Sequence, residues 1–309
     1  MLREKYLRNL FNVLVSFCLL LPIYYLANYD KTINPDILNY RADYVNSNWT
    51  YDIGYEYFAN FIKNIFNLSF DQYWDFQLLF QTFLLSIIFR NKYILLIAYP
   101  NLLFLSDTLF GTQIRYAISV QIFLIGLFCL SKRKSIMTFL IACTFHYGVV
   151  IIAALYLYKE YFLKYKSRVG VRLFIQLSLF LVVIVFFSLF IDTIANLTRY
   201  SYYVDSRYFK SKSIVSIIYA TVFLAITGYY FFVYKVKDEL LEFCFFCALL
   251  VLSTSSFAVV SGRMQIFFFL LEPFLIYKIF NLKENRKENK IIACAVWLVS
   301  LTKFIGLYI

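Results

Sequence analysis

Nine apolar runs, each about 20 residues long, constrain this chain more than any other feature of its sequence. An α-helix of that length covers the hydrocarbon core of a bilayer. Because the runs are continuous and do not alternate with polar residues, they predict helices rather than membrane strands. We therefore predict an all-α fold, a polytopic transmembrane helical bundle of about 9–11 membrane segments in a single integral membrane domain, 1–309. The predicted spans are 8–27, 71–89, 93–109, 114–130, 171–194, 213–234, 239–259, 263–281 and 290–307.

The positive charge of the chain is best explained by its membrane topology. Thirty Lys and Arg residues against 18 Asp and Glu residues give a net charge of +12. The basic residues lie mainly in short segments between apolar runs, where they report orientation and favour anionic lipid headgroups. We therefore expect membrane lipids as partners and exclude nucleic acid.

The stretch 135–158 decides the orientation of everything that follows it. With the N-terminus in the cytoplasm, 28–70 is an outer loop, and 195–212 is another if 135–158 enters and leaves on the inner side. The inner side then has 20 basic residues and the outer side 9, against 13 and 16 for a single crossing. The positive-inside rule favours the re-entrant arrangement.

This stretch also holds the only histidine of the chain, His146, in the sequence "TFHYGVV". Its 24 residues are too few for two crossings at about 1.5 Å per residue, but they suffice for two half-helices. Gly148 loosens the backbone and Tyr147 adds a polar group, so we predict a break with His146 at the tip of a hairpin, facing a cavity. The alternative is one straight span in which His146 bonds a neighbouring helix.

The outer loop 28–70 is the longest polar stretch of the chain. Within it, "YDIGYEYFANFIKNIF" repeats apolar residues at helical spacing, which predicts an amphipathic helix on the membrane surface. The same loop places several carboxyl groups at the outer face. These are Asp36, Asp43, Asp52 and Glu56.

Arginines of the outer face indicate either lipid anchoring or phosphate binding. Arg115 and Arg263 open long apolar runs, where an arginine is costly unless it is paired, snorkels or faces a wet cavity. Each alone fits an interface anchor. Together with Arg199 and Arg207, they fit the bidentate binding of a lipid-linked phosphate or pyrophosphate. The nearby tyrosines, including Tyr203, fit sugar stacking and an interfacial aromatic belt equally well.

Four sequence elements follow one another over about residues 36–275: "PDILNYRADY" with "DIGYEYF", "TQIRYAISVQIFL", "FHYGVVIIAAL" and "SGRMQIFFFLLEPFLI". In order and spacing, the chain resembles the EpsG-like branch of bacterial Wzy-type O-antigen and exopolysaccharide polymerases. Tyr116 departs from the family pattern, which often has Gln after the arginine.

The resemblance implies a glycosyltransferase-C-like membrane enzyme that needs neither a cofactor nor a metal. It implies that a growing glycan is transferred from undecaprenyl pyrophosphate onto a new undecaprenyl-pyrophosphate-linked repeat unit. The reaction would take place at the outer face of the bacterial inner membrane, towards the periplasm or the cell exterior. A chain-length regulator and a flippase are the expected protein partners.

This chemistry assigns roles to the outer residues. Arg115 and Arg263 would stabilise the charge on the departing pyrophosphate. A general base would take the proton of the attacking hydroxyl, and His146, Asp52 and Glu56 are the candidates, with Asp36 a further carboxylate. Cys244 and Cys247 have CxxC spacing but neither a second pair nor flanking polar ligands, and the absence of paired His, Asp or Glu ligands argues against a metal site. The predicted substrate-binding residues are Arg199, Arg207, Asp36, Tyr40, Gln113 and Tyr203.

Two other functions use similar features. An O-antigen ligase-like glycosyltransferase would employ the same arginines but a different acceptor. A transporter or flippase of polyprenyl-linked glycans would need charges along its whole path. The spans 71–89 and 213–234 carry few charges, so this second alternative is the weaker one.

Overall fold

The regular secondary structure is helical throughout the part of the chain that the computed structural model describes. The predicted all-α fold is therefore confirmed. The described residues are 2–28, 35–160, 214–236, 238–255, 258–282 and 286–305, with isolated helical positions at 178, 181, 182, 185, 189 and 193.

The chain divides into two compact units. The first combines Met1–Ala153 with Ile276–Ile309, and the second is Ala154–Leu275. The helices are α1 (Leu2–Ala27), α2 (Pro35–Asn46), α3 (Ile53–Phe66), α4 (Phe70–Ile88), α5 (Lys92–Leu105) with a π-helical turn (Ser106–Phe110), α6 (Ile114–Cys129), α7 (Lys132–Phe145), α8 (Val149–Tyr158), α9 (Ile214–Phe232), α10 (Glu239–Ser253), α11 (Ala258–Phe280) and α12 (Arg286–Ile305).

Several helices have the apolar character of membrane segments. Leu7–Ala27 and Lys92–Phe110 are long and apolar enough to cross a bilayer. Shorter apolar helices cover Ile114–Cys129, Val149–Tyr158 and Ser216–Phe232. Most of the predicted span 171–194 lies outside the described residues.

The boundary between α10 and α11 differs from the prediction. α10 ends at Ser253 rather than near 259, and α11 begins at Ala258 rather than at 263. Thr254 follows α10, and its hydroxyl donates to the Leu250 carbonyl at 2.9 Å. The same bond occurs inside uninterrupted helices, from Thr82 to Leu78 and from Thr227 to Phe223, so it does not by itself explain where α10 ends.

α6 and α7 form an antiparallel hairpin. Ser119 Oγ donates to the Ala142 carbonyl at 2.5 Å, and Ser135 Oγ donates to the Gly126 carbonyl at 2.7 Å. The start of α6 therefore lies beside the end of α7.

The predicted break at the histidine is confirmed. α7 ends at Phe145, His146 is extended with φ −160° and ψ 120°, and α8 begins at Val149. The Gly148 N–H donates to His146 Nδ1 at 2.9 Å, which stabilises the turn between the two helices. Whether α8 returns to the membrane face that α7 left stays a prediction.

The amphipathic helix predicted in the outer loop is α3. Its inner side is buried against the protein, and an apolar stripe of residues four apart is exposed. Its position on the membrane surface stays a prediction. The exposed stripe consists of Ile53, Tyr57, Phe61 and Ile65.

In the second unit, buried polar pairs join α9 to α11. Tyr219 donates its phenolic hydrogen to Glu272 Oε2 at 2.6 Å, and Ser216 Oγ donates to Gln265 Oε1. Glu272 is 0% exposed. Such bonds satisfy polar groups that would otherwise be buried without partners.

Candidate active site

Arg115 is the second residue of α6 and is held from two sides. Its Nη1 forms an ion pair with Asp52 Oδ2, and its Nε donates to the Tyr40 hydroxyl at 3.3 Å. The Asp52 side chain is 7% exposed, whereas that of Arg115 remains 23% exposed. The guanidinium is therefore anchored by two partners, while part of the Arg115 side chain stays exposed.

Aromatic rings surround the same guanidinium. Its central carbon lies 4.2 Å from the centroid of the Tyr51 ring and 5.9 Å from that of Tyr40. The Tyr40 ring contacts Tyr51, Tyr55 and Trp74 at centroid distances of 4.9, 5.8 and 5.9 Å. Ring faces attract cations, and this packing limits the orientations that Arg115 can adopt.

Two further carboxyl groups hold the turn that carries Tyr51 and Asp52. Glu56 Oε1 accepts the N–H of Tyr51 at 2.7 Å, and Asp43 Oδ1 accepts both the N–H and the hydroxyl of Thr50 at 3.1 and 2.6 Å. Glu56 is 2% exposed. Burial, reinforced by the negative charge of Asp43, raises the pKa of Glu56 to about 7, although its bond from the Tyr51 backbone and the nearby Arg115 charge oppose the shift.

A glycine brings α3 against α7. A Cβ atom on Gly54 would lie 2.9 Å from the backbone carbon of Thr144, closer than real side chains approach. Glycine is therefore needed here for space, because it lacks a Cβ. Phe58 and Phe145 extend the contact with ring centroids 5.8 Å apart. The start of α3, which carries Asp52, thus lies at the same end of the first unit as the end of α7.

His146 is 4% exposed at that end, and its ring centroid lies 5.1 Å from that of Tyr116. A backbone N–H is always a donor, so His146 Nδ1 must accept the Gly148 hydrogen. The neutral imidazole then carries its own proton on Nε2. In this conformation His146 is a hydrogen-bond donor, which weakens its candidacy as the general base.

The structure brings Arg115, Tyr40, Asp52 and Glu56 into one cluster. Asp36 lies at its edge, close enough for its charge to act on Tyr40 and Tyr51. Asp36 is exposed on α2. Gln113 precedes α6, and its Nε2 donates to the Thr108 carbonyl at 3.2 Å.

Arg263 belongs to the second unit. It is part-buried, and it lies five residues inside α11 rather than at the start of the helix. A gathering of Arg115 with Arg263 stays a prediction. The predicted site residues Arg199, Tyr203 and Arg207 lie outside the described residues.

Sequence reasoning did not assign a role to Asp43, Tyr51 or Trp74. Helical spacing was a partial signal for Asp43, because Tyr40 and Asp43 are three residues apart and therefore lie on one face of α2. Both are buried. Tyr51 precedes Asp52 directly, but its ring position depends on the turn. Nothing in the local sequence of Trp74 indicated that it would support Tyr40.

Positive charge in the described cluster comes from Arg115. Among the residues that the structure describes, no group of three or more His, Cys, Asp or Glu could hold a metal ion. The arrangement offers a fixed guanidinium, packed aromatic rings and a carboxyl group whose pKa is raised to about 7. Those parts can bind an anionic group, a sugar ring and a proton, respectively.

Comparison with protein families gives a match over nearly the whole length. The model of the EpsG family matches residues 11–309. Comparison with curated proteins and with solved structures finds no match.

Proposed function

The chain belongs to the EpsG family, and from this premise we propose that it polymerises undecaprenyl-pyrophosphate-linked repeat units. Membership supports a membrane protein with a general role in polysaccharide polymerisation. The proposed enzyme transfers the growing glycan from one lipid carrier onto the repeat unit carried by another. It works at the outer face of the bacterial inner membrane and requires neither a metal nor a cofactor.

The anchored guanidinium of Arg115 is the observation that carries this proposal. Tyr40 and Asp52 occupy its Nε and Nη1, and within the described part of the chain no group bonds to Nη2. A donor already fixed in place needs no reorganisation when negative charge develops on a leaving pyrophosphate. The ion pair with Asp52 fixes the orientation of the Arg115 guanidinium, but the negative charge of Asp52 also reduces the net positive charge of the site. The proposal therefore keeps Arg263 as a second phosphate ligand.

The tyrosines supply a surface for the sugar. Tyr51 is half-buried beside Arg115 and has one ring face against the guanidinium. A sugar bound beside this ring would place its anomeric carbon within reach of an arginine that grips the pyrophosphate. Tyr40 is buried beneath and acts as a positioning residue.

Glu56 is the proposed general base. Its pKa of about 7 suits a group that accepts a proton at neutral pH. Burial both raises this pKa and keeps bulk water from the carboxyl group. The acceptor hydroxyl would reach Glu56 beside Tyr51, whose backbone N–H already bonds to it. His146, with its proton on Nε2, is assigned the role of donor to a sugar or phosphate oxygen.

The proposed step is a substitution at the anomeric carbon. The acceptor hydroxyl forms a glycosidic bond to this carbon and passes its proton to Glu56. The bond between the anomeric carbon and the pyrophosphate oxygen breaks, and its electron pair leaves with undecaprenyl pyrophosphate. Arg115 and Arg263 neutralise that oxygen, as a metal ion does in other transferases.

A reconstituted assay distinguishes the proposal from its alternatives. The purified full-length protein would be given undecaprenyl-pyrophosphate-linked repeat units in the presence of EDTA. A ladder of products differing by one repeat is expected. Products that appear only with a separate acceptor would indicate a ligase. Movement of the lipid across proteoliposomes with no ladder would indicate a flippase and overturn the proposal.

A further inference from the structure

A second candidate site lies in the first unit, in an apolar groove of about 330 Å³. This volume is within the range of small-ligand pockets. Three helices form the groove: the start of α5, the end of α11 and the middle of α12. Its lining residues include Tyr93, Leu96, Phe280, Cys294 and Trp297.

The groove is exposed along its length rather than filled by the protein. Leu96 is 67% exposed, Tyr93 58% and Phe280 40%. An apolar concavity at this place is suited to a hydrocarbon chain.

Two lysines mark the rim of the groove. Lys92 Nζ lies 5.2 Å from the centroid of the Tyr93 ring, and Lys290 Nζ lies 5.6 Å from that of Phe280. Both rings line the groove, and both lysines are exposed. A ring face holds each ammonium in place without neutralising its charge, so the rim favours an anion.

The groove also contains a polar group that requires an acceptor. Trp297 Nε1 is buried and has no hydrogen-bond partner among the described residues. Buried donors are usually satisfied, and an indole N–H has no accepting alternative. An ester carbonyl would provide the missing acceptor.

The groove and the Arg115 cluster lie at opposite ends of the first unit. α5 and its π-helical turn run from Lys92 to Phe110 and lead to the start of α6. These 19 residues cover about 28 Å, close to the thickness of a bilayer core. If Arg115 is at the outer face, the groove is therefore at the inner face.

From these features we infer that the groove binds one anionic phospholipid of the inner leaflet. An acyl chain lies along Leu96 and Phe280, and the phosphate lies between Lys92 and Lys290. The Trp297 N–H donates to an ester carbonyl. Basic pockets between helices on the cytoplasmic side are suited to such headgroups. The assignment to the inner leaflet rests on the outer-face position of Arg115 in the proposed function, whereas the groove, its two lysines and the Trp297 donor do not depend on it.

Native mass spectrometry of the delipidated full-length protein tests the inference. The protein would be titrated with phosphatidylglycerol and with phosphatidylcholine that has the same acyl chains. Two rim lysines predict about a 30-fold preference for the anionic lipid. Equal retention of the two lipids would overturn the inference. Inorganic phosphate should not displace phosphatidylglycerol at equal concentration, and displacement would indicate a simple anion site instead.

Variants separate the contribution of the lysine charges to lipid binding from that of the acyl chain in the groove. Lys92→Gln combined with Lys290→Gln should reduce the preference to about twofold or less, because both rim charges are lost. Arg133→Gln with Lys134→Gln is the matched control, since these exposed cations lie on α7 and do not line the groove. It should retain the full preference. Leu96→Trp should fill the groove and weaken both lipids equally.

Gel filtration establishes that each variant is folded. The substituted lysines and Leu96 are exposed, so no core contact is removed. An unchanged preference in the double lysine variant, or equal losses in it and in the Arg133 and Lys134 control, would exclude the lysine rim as the headgroup site.

Discussion

Cations lie at both ends of the first unit, but they differ in their partners and in their exposure. Arg115 is held by a buried carboxylate, a phenol and a ring face, with 23% of its side chain exposed. Lys92 and Lys290 are exposed and stand only over rings in the described contacts. At the first end, these contacts fix the orientation of the Arg115 guanidinium. The second leaves two ammonium charges exposed beside an apolar groove.

The difference suggests two kinds of recognition. A guanidinium fixed by its surroundings can stabilise charge that appears only during a reaction. Exposed ammonium groups beside an apolar groove suit a lipid headgroup. The comparison predicts that substitutions at the Arg115 end affect chemistry and folding strongly. Substitutions of exposed charged residues should have much smaller effects on activity and on stability.

The largest effect is expected from Arg115→Ala. Removal of a fixed donor should lower the polymerisation rate by about 10²–10³-fold. It should also destabilise the fold by up to about 3 kcal/mol, because Asp52 is left buried and unpaired. Polymer length in cells and thermal unfolding in detergent provide the two measurements.

A second substitution separates the two effects of Arg115→Ala. Adding Asp52→Asn should restore stability, since the unpaired charge is gone, but should not restore polymer. Arg115→Lys keeps the positive charge but loses the planar guanidinium that can bind phosphate through two N–H groups, so the amount of polymer should stay low. Normal chain lengths in the alanine variant would remove Arg115 from the mechanism and end the contrast between the two ends.

Glu56→Gln should lower the rate by about 100-fold and abolish the acidic limb of the pH–rate profile. A base with a pKa of about 7 loses activity as the pH falls through 7. If the wild-type limb persists in the variant, Glu56 only positions the turn.

The raised pKa of Glu56 also predicts how the stability of the protein depends on pH. The folded pKa of Glu56 is raised from 4.5, so folding favours the protonated form. The stabilisation is full below about 4.5 and is lost as the pH rises through about 7. Glu56→Gln should flatten this dependence in thermal unfolding, and an unchanged slope would assign it to other groups.

A paired substitution at His146 should show a smaller effect. Asparagine can replace Nδ1 as the acceptor of the Gly148 N–H, whereas glutamine places its oxygen nearer to Nε2. His146→Gln should therefore cost about 1–2 kcal/mol of stability, and His146→Asn less. Thermal unfolding measures both. Equal losses would mean that the hydrogen bond does not stabilise the break.

The smallest effect is expected from Arg41→Gln. Arg41 pairs with Asp71 at 2.9 Å, but the two side chains are 47% and 61% exposed. Exposed pairs contribute about 0–1 kcal/mol, because water and salt screen them. Thermal stability and polymer length should remain near wild type. A loss comparable to that of Arg115→Ala would show that burial does not distinguish the two pairs.

Periodicity predicted the elements better than it predicted their ends. The spans near 71–89, 114–130 and 213–234 agree closely with α4, α6 and α9, because long apolar runs have few alternatives to a helix. The division between α10 and α11 was displaced, with α10 ending at Ser253 and α11 beginning at Ala258.

The candidate site was predicted only in part. Arg115 was selected because it opens an apolar run, and Asp52 and Glu56 because they are carboxylates of the predicted outer loop. Their partners Tyr51 and Asp43 were not, because a turn and a helix face bring them together over distances that local sequence does not encode. Likewise, "FHYGV" predicted a break at His146, but which imidazole nitrogen holds the proton required the position of the Gly148 N–H.

The sequence by itself determined that this chain is a bundle of apolar helices with an interrupted helix and arginines beside its spans, because hydrophobic length and backbone freedom are local properties. The tertiary structure decided which groups meet. Gly54 lets α3 approach Thr144, and this contact brings Asp52 to the end where α6 presents Arg115. Charge pairing, burial and the pKa of Glu56 follow from that approach, since each depends on neighbours that are distant in the chain.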